Sequence, residues 1–175
     1  MLGRLQTTPA RERPDLLAPP VVEAVRHHPD GDVLVAEIDP DLADTAAFCK
    51  HYAVGLDVSA NCVVVAGRRG QDTRLAACVV LATTRADVNG VVRRRLDARK
   101  ASFAPMDLAV SETGMEYGGI TPLGLPAQWP VYVDLAVMDR PYVVVGSGLR
   151  RSKLVVATSV LAGVPGAEVV DGLAG

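Results

Sequence analysis

Aromatic side chains are scarce in this chain, 4% of its 175 residues, so any core has to be assembled from Val, Leu and Ala. Cysteine is scarce too: Cys49, Cys62 and Cys78 are odd in number, far apart and without Cys-x-x-Cys spacing. That excludes a disulfide framework or a cysteine-rich zinc site and fits reduced thiols in a cytosolic protein. The histidines, His27, His28 and His51, stand at no metal-ligand spacing, so no metal is expected. A Gly-x-Ser-x-Gly elbow, a Walker sequence and a Gly-x-Gly-x-x-Gly turn after a first strand are all missing, so neither a serine nucleophile nor a nucleotide cofactor is indicated. No apolar run approaches the roughly 18 residues of a membrane span, and the N-terminus lacks the apolar stretch of a signal peptide. The expectation is a soluble, cytoplasmic protein with no membrane partner. Lysine occurs three times against fifteen arginines, and the net charge of −2 excludes bulk affinity for nucleic acid while leaving local basic patches open.

What is present is a globular composition, 49% hydrophobic and 22% charged, in a length that suits one domain. Residues 1–18, with two prolines and scattered charges, read as a poorly ordered arm, and 19–175 as a single domain. Pro19-Pro20 opens a short helix to His28. A strand at 33–38 follows, then a helix from Asp39-Pro40 to about Tyr52. Strands at 62–66 and 74–81 form a hairpin whose polar connection, 67–72, reads as too long for a two-residue turn. Helices near 84–96 and 105–113 flank an extended stretch at 101–104, and Gly114 closes the second. Strands at 131–133, 142–145 and 153–157, a helix at 158–161 and a strand at 168–170 complete the chain. Hairpins with irregularly inserted helices predict an α+β fold: one curved, mixed, open-barrel-like sheet with helices packed outside it.

The densest local signal is Gly118-Gly119-Ile120-Thr121-Pro122-Leu123-Gly124-Leu125-Pro126, three glycines and two prolines in nine residues. Proline stiffens such a loop, and glycine reaches φ > 0 and lets other groups approach the backbone. Amides left out of a ladder suit a carbonyl, an oxyanion or a phosphate; a plain helix-to-strand turn is the other reading. A second glycine turn, Gly146-Ser147-Gly148, leads from one strand to the next. Positive charge gathers between Arg85 and Lys100, where six basic residues face two aspartates, and again at Arg150, Arg151 and Lys153. These clusters are either a solvated face or contacts to a sugar-phosphate backbone.

From Asp39 to Leu173 the chain resembles the YbaK/prolyl-tRNA-synthetase-associated-domain family, which deacylates mischarged tRNA. The likeness rests on the strand start Ser59-Ala60-Asn61-Cys62-Val63, on Lys100-Ala101-Ser102-Phe103, on Thr113-Gly114-Met115-Glu116-Tyr117-Gly118-Gly119-Ile120-Thr121-Pro122-Leu123-Gly124, and on Val133-Asp134 with Val145-Gly146-Ser147-Gly148-Leu149-Arg150. The resemblance implies a free-standing aminoacyl-tRNA deacylase in translation quality control, acting in trans, with the acceptor end of aminoacyl-tRNA as ligand and an aminoacyl-tRNA synthetase as a further partner. Water, backbone N–H groups and the substrate's own ribose would hydrolyse the ester, without a cofactor. On that reading Gly118, Gly119, Thr121 and Gly124 are catalytic. Asn61, Pro122, Gly146, Ser147, Gly148 and Lys153 bind substrate, and Arg94, Lys100, Arg150 and Arg151 hold the tRNA.

Two departures from the family pattern stand out. Asn61 occupies the place of a lysine at the start of the core strand, and Lys153 stands where an acidic residue often follows the second glycine turn. Either the cation has moved to Lys153, or the chain keeps binding without hydrolysis, as a non-catalytic tRNA-end or nucleotide-binding module.

Overall fold

A computed structural model describes residues 2–175. Among these residues nine strands form two sheets. In chain order they are β1 (Thr8–Pro9), β2 (Val33–Glu37), β3 (Ala60–Arg69), β4 (Asp72–Leu81), β5 (Lys100–Phe103), β6 (Val131–Asp134), β7 (Tyr142–Gly146), β8 (Ser152–Ala157) and β9 (Ala167–Val170). The four-stranded sheet runs β1-β2-β8-β7, all antiparallel. The five-stranded sheet runs β5-β3-β4-β6-β9 and is mixed, because β6 pairs in parallel with both β4 and β9. The expected α+β class holds. The expected grouping of the strands into one sheet does not: β7 and β8 leave the sheet of β3, β4 and β6, and a lone parallel bridge, Ser59 to Val144, joins the two sheets.

Strand alternation sorts the buried side chains into three larger cores and a small one of Val64, Ala109 and Trp129. Ala77, Val79 and Leu81 of β4 meet Val143 and Val145 of β7 and Leu154 and Val156 of β8 between the sheets. The intervening Ala76, Cys78 and Val80 face Val88, Val92 and Leu96 on the outer side of the larger sheet. Val144 and Val155 face Phe48, Cys49 and Val54 outside the smaller one. Helices α1 (Pro19–Val25), α2 (Thr45–Tyr52), α3 (Arg93–Arg95), α4 (Met106–Thr113) and α5 (Thr158–Ala162) surround these sheets. A π-helical turn at Val88–Val92 leads into α3, where a single regular helix was expected.

Three local differences have clear causes. The hairpin ladder continues to Arg69 opposite Asp72, so the connection is only Gly70-Gln71; Gly70, at φ +60, supplies the positive φ of a type II′ turn. The helix expected from Asp39 breaks in two, because Asp39 caps a short 3₁₀ turn and Asp44 caps α2 with its own side chain on Ala47 N–H. The N-terminal segment, expected as a loose arm, packs into the fold. Leu5, Ala10, Leu16, Leu17 and Ala18 are buried, β1 pairs with β2, and Arg11 forms an ion pair with Asp30.

Candidate functional site

A cavity of about 350 Å³ opens where the N-terminus of α2, the start of β3, the end of β5 and the two glycine segments converge. Its walls carry Asp44, Thr45, Asn61, Cys62, Phe103, Tyr117, Gly118, Ile120, Gly146, Arg150 and Lys153. Alternation along β8 places Lys153 on the same side as Val155, toward α2, while β3 presents Asn61 to the first turn of that helix. Thr45 Oγ1 donates to Asn61 Oδ1 at 2.8 Å. A void of about 20 Å³, the size of a water site, lies behind the cavity between Thr45, Phe48, Asn61 and Lys153. The structure therefore brings Asn61, Lys153 and Gly118 to one place.

Lys153 is 8% exposed, and its ammonium donates to the Ala43 carbonyl at 3.1 Å and lies 5.2 Å from the centre of the Phe48 ring. Desolvation pulls its pKa below the ordinary lysine value; neighbouring Arg150 acts in the same direction, and Cys49 and Asp44 oppose it. Arg150 spans the mouth, donating to the carbonyls of Tyr117 at 3.5 Å and Pro40 at 3.3 Å. Its guanidinium lies over Gly118, at φ +88, in the space a Cβ would fill. Cys62 is the thiol in the wall, and burial pushes its pKa up, so it is protonated and not a nucleophile at neutral pH. Cys78, opposite Val63 on β4, is pushed up to about 12 by burial.

The remaining expected site residues lie behind the wall. Gly119 is buried; its N–H donates to Glu116 O, its carbonyl accepts from Gly148 N–H, and a Cβ there would meet the Leu149 backbone. Thr121 N–H points at Met115 Sδ, and the fully buried Thr121 hydroxyl has no hydrogen-bond partner among the described residues. Pro122 is buried, and Gly124, at φ +93, packs on the backbone of Pro20. Gly148 abuts Ala18, and the Ser147 hydroxyl accepts from Leu149 N–H and bonds Ser152 Oγ at 2.6 Å. The expectation that the whole loop offers outward amides is thus corrected. Most of it braces the second turn and the N-terminal segment, and of the loop residues whose amides lack a protein acceptor among the described residues, Gly118 and Ile120 are the ones that line the cavity.

The expected tRNA contacts also divide. Arg150 lines the cavity. Arg151 instead bonds the Asp15 carbonyl and tethers the N-terminal segment. Arg94 is exposed on α3 away from the cavity wall, and Lys100 lies in a separate groove. Sequence reasoning missed Asp44, Thr45, Tyr117 and Phe103. One helix drawn from Asp39 hid the second helix start at Thr45. In a chain with two phenylalanines, the one beside Lys100-Ala101-Ser102 was a signal, because it is 60% exposed at the cavity.

Three solved structures share this fold. One is described as a proposed trans-editing enzyme for prolyl-tRNA synthetase, with a TM-score of 0.74 at 21% identity, covering 88% of this chain and 94% of that one. A scaffold protein from computational epitope grafting has a TM-score of 0.74 at 21% identity over 88% and 95% of the two chains. A hypothetical protein, APE2540, has a TM-score of 0.70 at 19% identity over 81% and 90%. At these identities the likeness establishes the fold. Residues 39–163, which include all the site residues described, match the aminoacyl-tRNA editing domain, and the chain belongs to that family.

Proposed function

We propose that the cavity receives the aminoacylated 3′ end of tRNA and that water hydrolyses the ester there. The observation that carries this reading is the wall itself, where two cations and two unengaged amides meet and the only thiol is protonated. In the step, water adds to the ester carbonyl carbon and the carbonyl oxygen becomes an oxyanion. Collapse of the tetrahedral intermediate breaks the bond to the ribose oxygen, which departs with a proton from the water. The amides of Gly118 and Ile120 are the donors available to the oxyanion, each worth a few kcal/mol in such a role. Thr45 already engages Asn61 Oδ1, so the Asn61 amide nitrogen is left to donate to a ribose hydroxyl. Lys153 takes over the positive charge that the family pattern places at position 61, and Arg150 closes the mouth on the phosphate side.

One observation favours binding without hydrolysis: the Lys153 ammonium is already held by Ala43 O and Phe48, deep in the wall. A deacylation assay over mischarged tRNAs separates the two readings. The panel starts with tRNA for proline, because one structural neighbour is described as editing for prolyl-tRNA synthetase. Faster ester loss from at least one charged tRNA, abolished in Gly118→Ala, is the expected result. Saturable binding with no acceleration on any member would leave the non-catalytic module standing and remove the deacylase.

A further inference from the structure

A second groove, about 420 Å³, lies along the outer part of β5 and is lined by Arg68, Asn89, Arg93, Arg99, Lys100 and Ser102, with no carboxylate in its wall. None of its four cations forms an ion pair among the described residues, whereas Arg69 and Arg95 close by pair with Asp97 and Glu168. Arg68 and Lys100 sit directly opposite each other in the β3–β5 ladder. Like charges in that relation repel and weaken the pairing, so the arrangement costs stability unless an anion lies between them. The Arg93 guanidinium is held in place by the carbonyls of Asn89 at 2.8 Å and Ala98 at 3.4 Å. β5 is also an edge strand, and its outer backbone groups are free of a ladder partner. The same strand links groove and cavity, since Lys100–Ser102 line the groove and Phe103 lines the cavity, roughly 10 Å further on at about 3.3 Å per residue.

We infer that this groove holds the phosphodiester backbone of the RNA whose 3′ end enters the cavity. The inference rests on the reading of the cavity as a tRNA-end site; from the basic cluster between Arg85 and Lys100 it selects Arg93, Arg99 and Lys100 as phosphate contacts, and it adds Arg68, which lies outside that cluster. Four unpaired cations in a row suit consecutive phosphates, which position a nucleic acid without reading its sequence. Their contribution is ionic and falls with salt as counterions are released.

The test compares the wild type with Arg68→Gln/Arg99→Gln/Lys100→Gln, all exposed positions, and with Arg26→Gln, a remote arginine paired with Glu23, as control. Fluorescence anisotropy measures binding of deacylated tRNA and of the trinucleotide CCA between 50 and 200 mM salt, roughly the range over which phosphate contacts lose their strength. The triple variant should bind tRNA about tenfold more weakly, with a log–log salt slope shallower by about two, and should bind CCA like the wild type. Thermal melting confirms that it is folded. Unchanged tRNA affinity and slope in the triple variant overturns the groove, even if wild-type deacylation upholds the cavity. Loss of tRNA binding in the triple variant, with no CCA binding by any protein, upholds the groove and removes the cavity reading instead. Competition by inorganic phosphate as effective as that by tRNA would assign the groove to a small anion and overturn the RNA assignment.

Discussion

The nine residues from Gly118 to Pro126 and the three from Gly146 to Gly148 look alike in sequence, yet they divide by face and not by segment. Gly118 and Ile120 on one segment, and Gly146 on the other, border the cavity. Gly119, Thr121, Pro122 and Gly124, with Ser147 and Gly148, lock the two segments to each other and to the N-terminal segment. The lesson is that a glycine can be required because a ligand comes close or because the protein's own backbone does. These two requirements fail differently when a side chain is added. The first costs function at nearly full stability, and the second costs the fold.

The largest effect should come from the bracing face. A Cβ at Gly119 lands about 2.8 Å from the Leu149 backbone, which cannot swing away as a side chain could. Gly119→Val is therefore expected to destabilise by about 3 kcal/mol or more, read as a lower denaturation midpoint, with loss of activity as a consequence. The position resists substitution through this close approach and not through a positive φ, which belongs to Gly118 and Gly124. A variant that melts like the wild type would dissolve the division between the faces.

Gly118→Ala probes the other face. The left-handed φ of +88 costs a non-glycine residue about 1–2 kcal/mol, and the new methyl displaces the Arg150 guanidinium from the cavity mouth. Binding of the CCA end should weaken about tenfold or more, the scale of losing one charge-assisted contact, while the protein stays folded. If stability falls as far as in Gly119→Val, Gly118 belongs with the bracing residues.

Lys153→Met separates charge from packing within the cavity. Methionine keeps the stem against Phe48 and removes a desolvated ammonium, so stability should stay level or rise, while binding of CCA drops several-fold at low salt. The sign with pH is fixed by the lowered pKa. The folded state releases the Lys153 proton before the unfolded state does, so wild-type stability climbs as pH rises through the folded pKa toward 10.5. The advantage of the methionine variant in urea melts is then greatest near neutral pH and narrows in alkali. A wild-type advantage at pH 7 would mean that the Ala43 and Phe48 contacts outweigh the desolvation cost.

Much of this fold was legible because it follows from local rules. Short apolar runs bounded by turn and charged residues marked β2, β4 and β8, Gly114 closed α4 at φ +68, and Pro19 opened α1. What the sequence hid depends on non-local encounters. That β7 and β8 share a sheet with β2 and not with β4, with one bridge from Ser59 to Val144 between the sheets, is a non-local choice that no spacing encodes. The buried N-terminal segment has proline-rich, charged surroundings that look like an arm, and its leucines acquire meaning only when Gly124 and Gly148 close on Pro20 and Ala18. In the site, the residue types of the loop were readable. Which amides face out was not, because that depends on Met115, Glu116 and Leu149 filling the other side.

The smallest effect tests the same division at a single hydroxyl. Thr121 stands at the centre of the glycine-proline segment, where a catalytic hydroxyl would be sought, yet it is fully buried and its Oγ1 has no partner among the described residues. A hydroxyl buried without a hydrogen bond costs about 1–3 kcal/mol relative to its place in water. Valine has nearly the same shape and no such group, so Thr121→Val should raise stability by up to about 1 kcal/mol, a gain of a few degrees in melting temperature. Deacylation and CCA binding should stay at wild-type levels. Serine at the same position keeps the hydroxyl and loses the methyl, so it should destabilise through the cavity it leaves, again without touching activity. If valine abolishes activity and serine restores it, the hydroxyl reaches the substrate, and Thr121 moves from the bracing face to the cavity face of the loop.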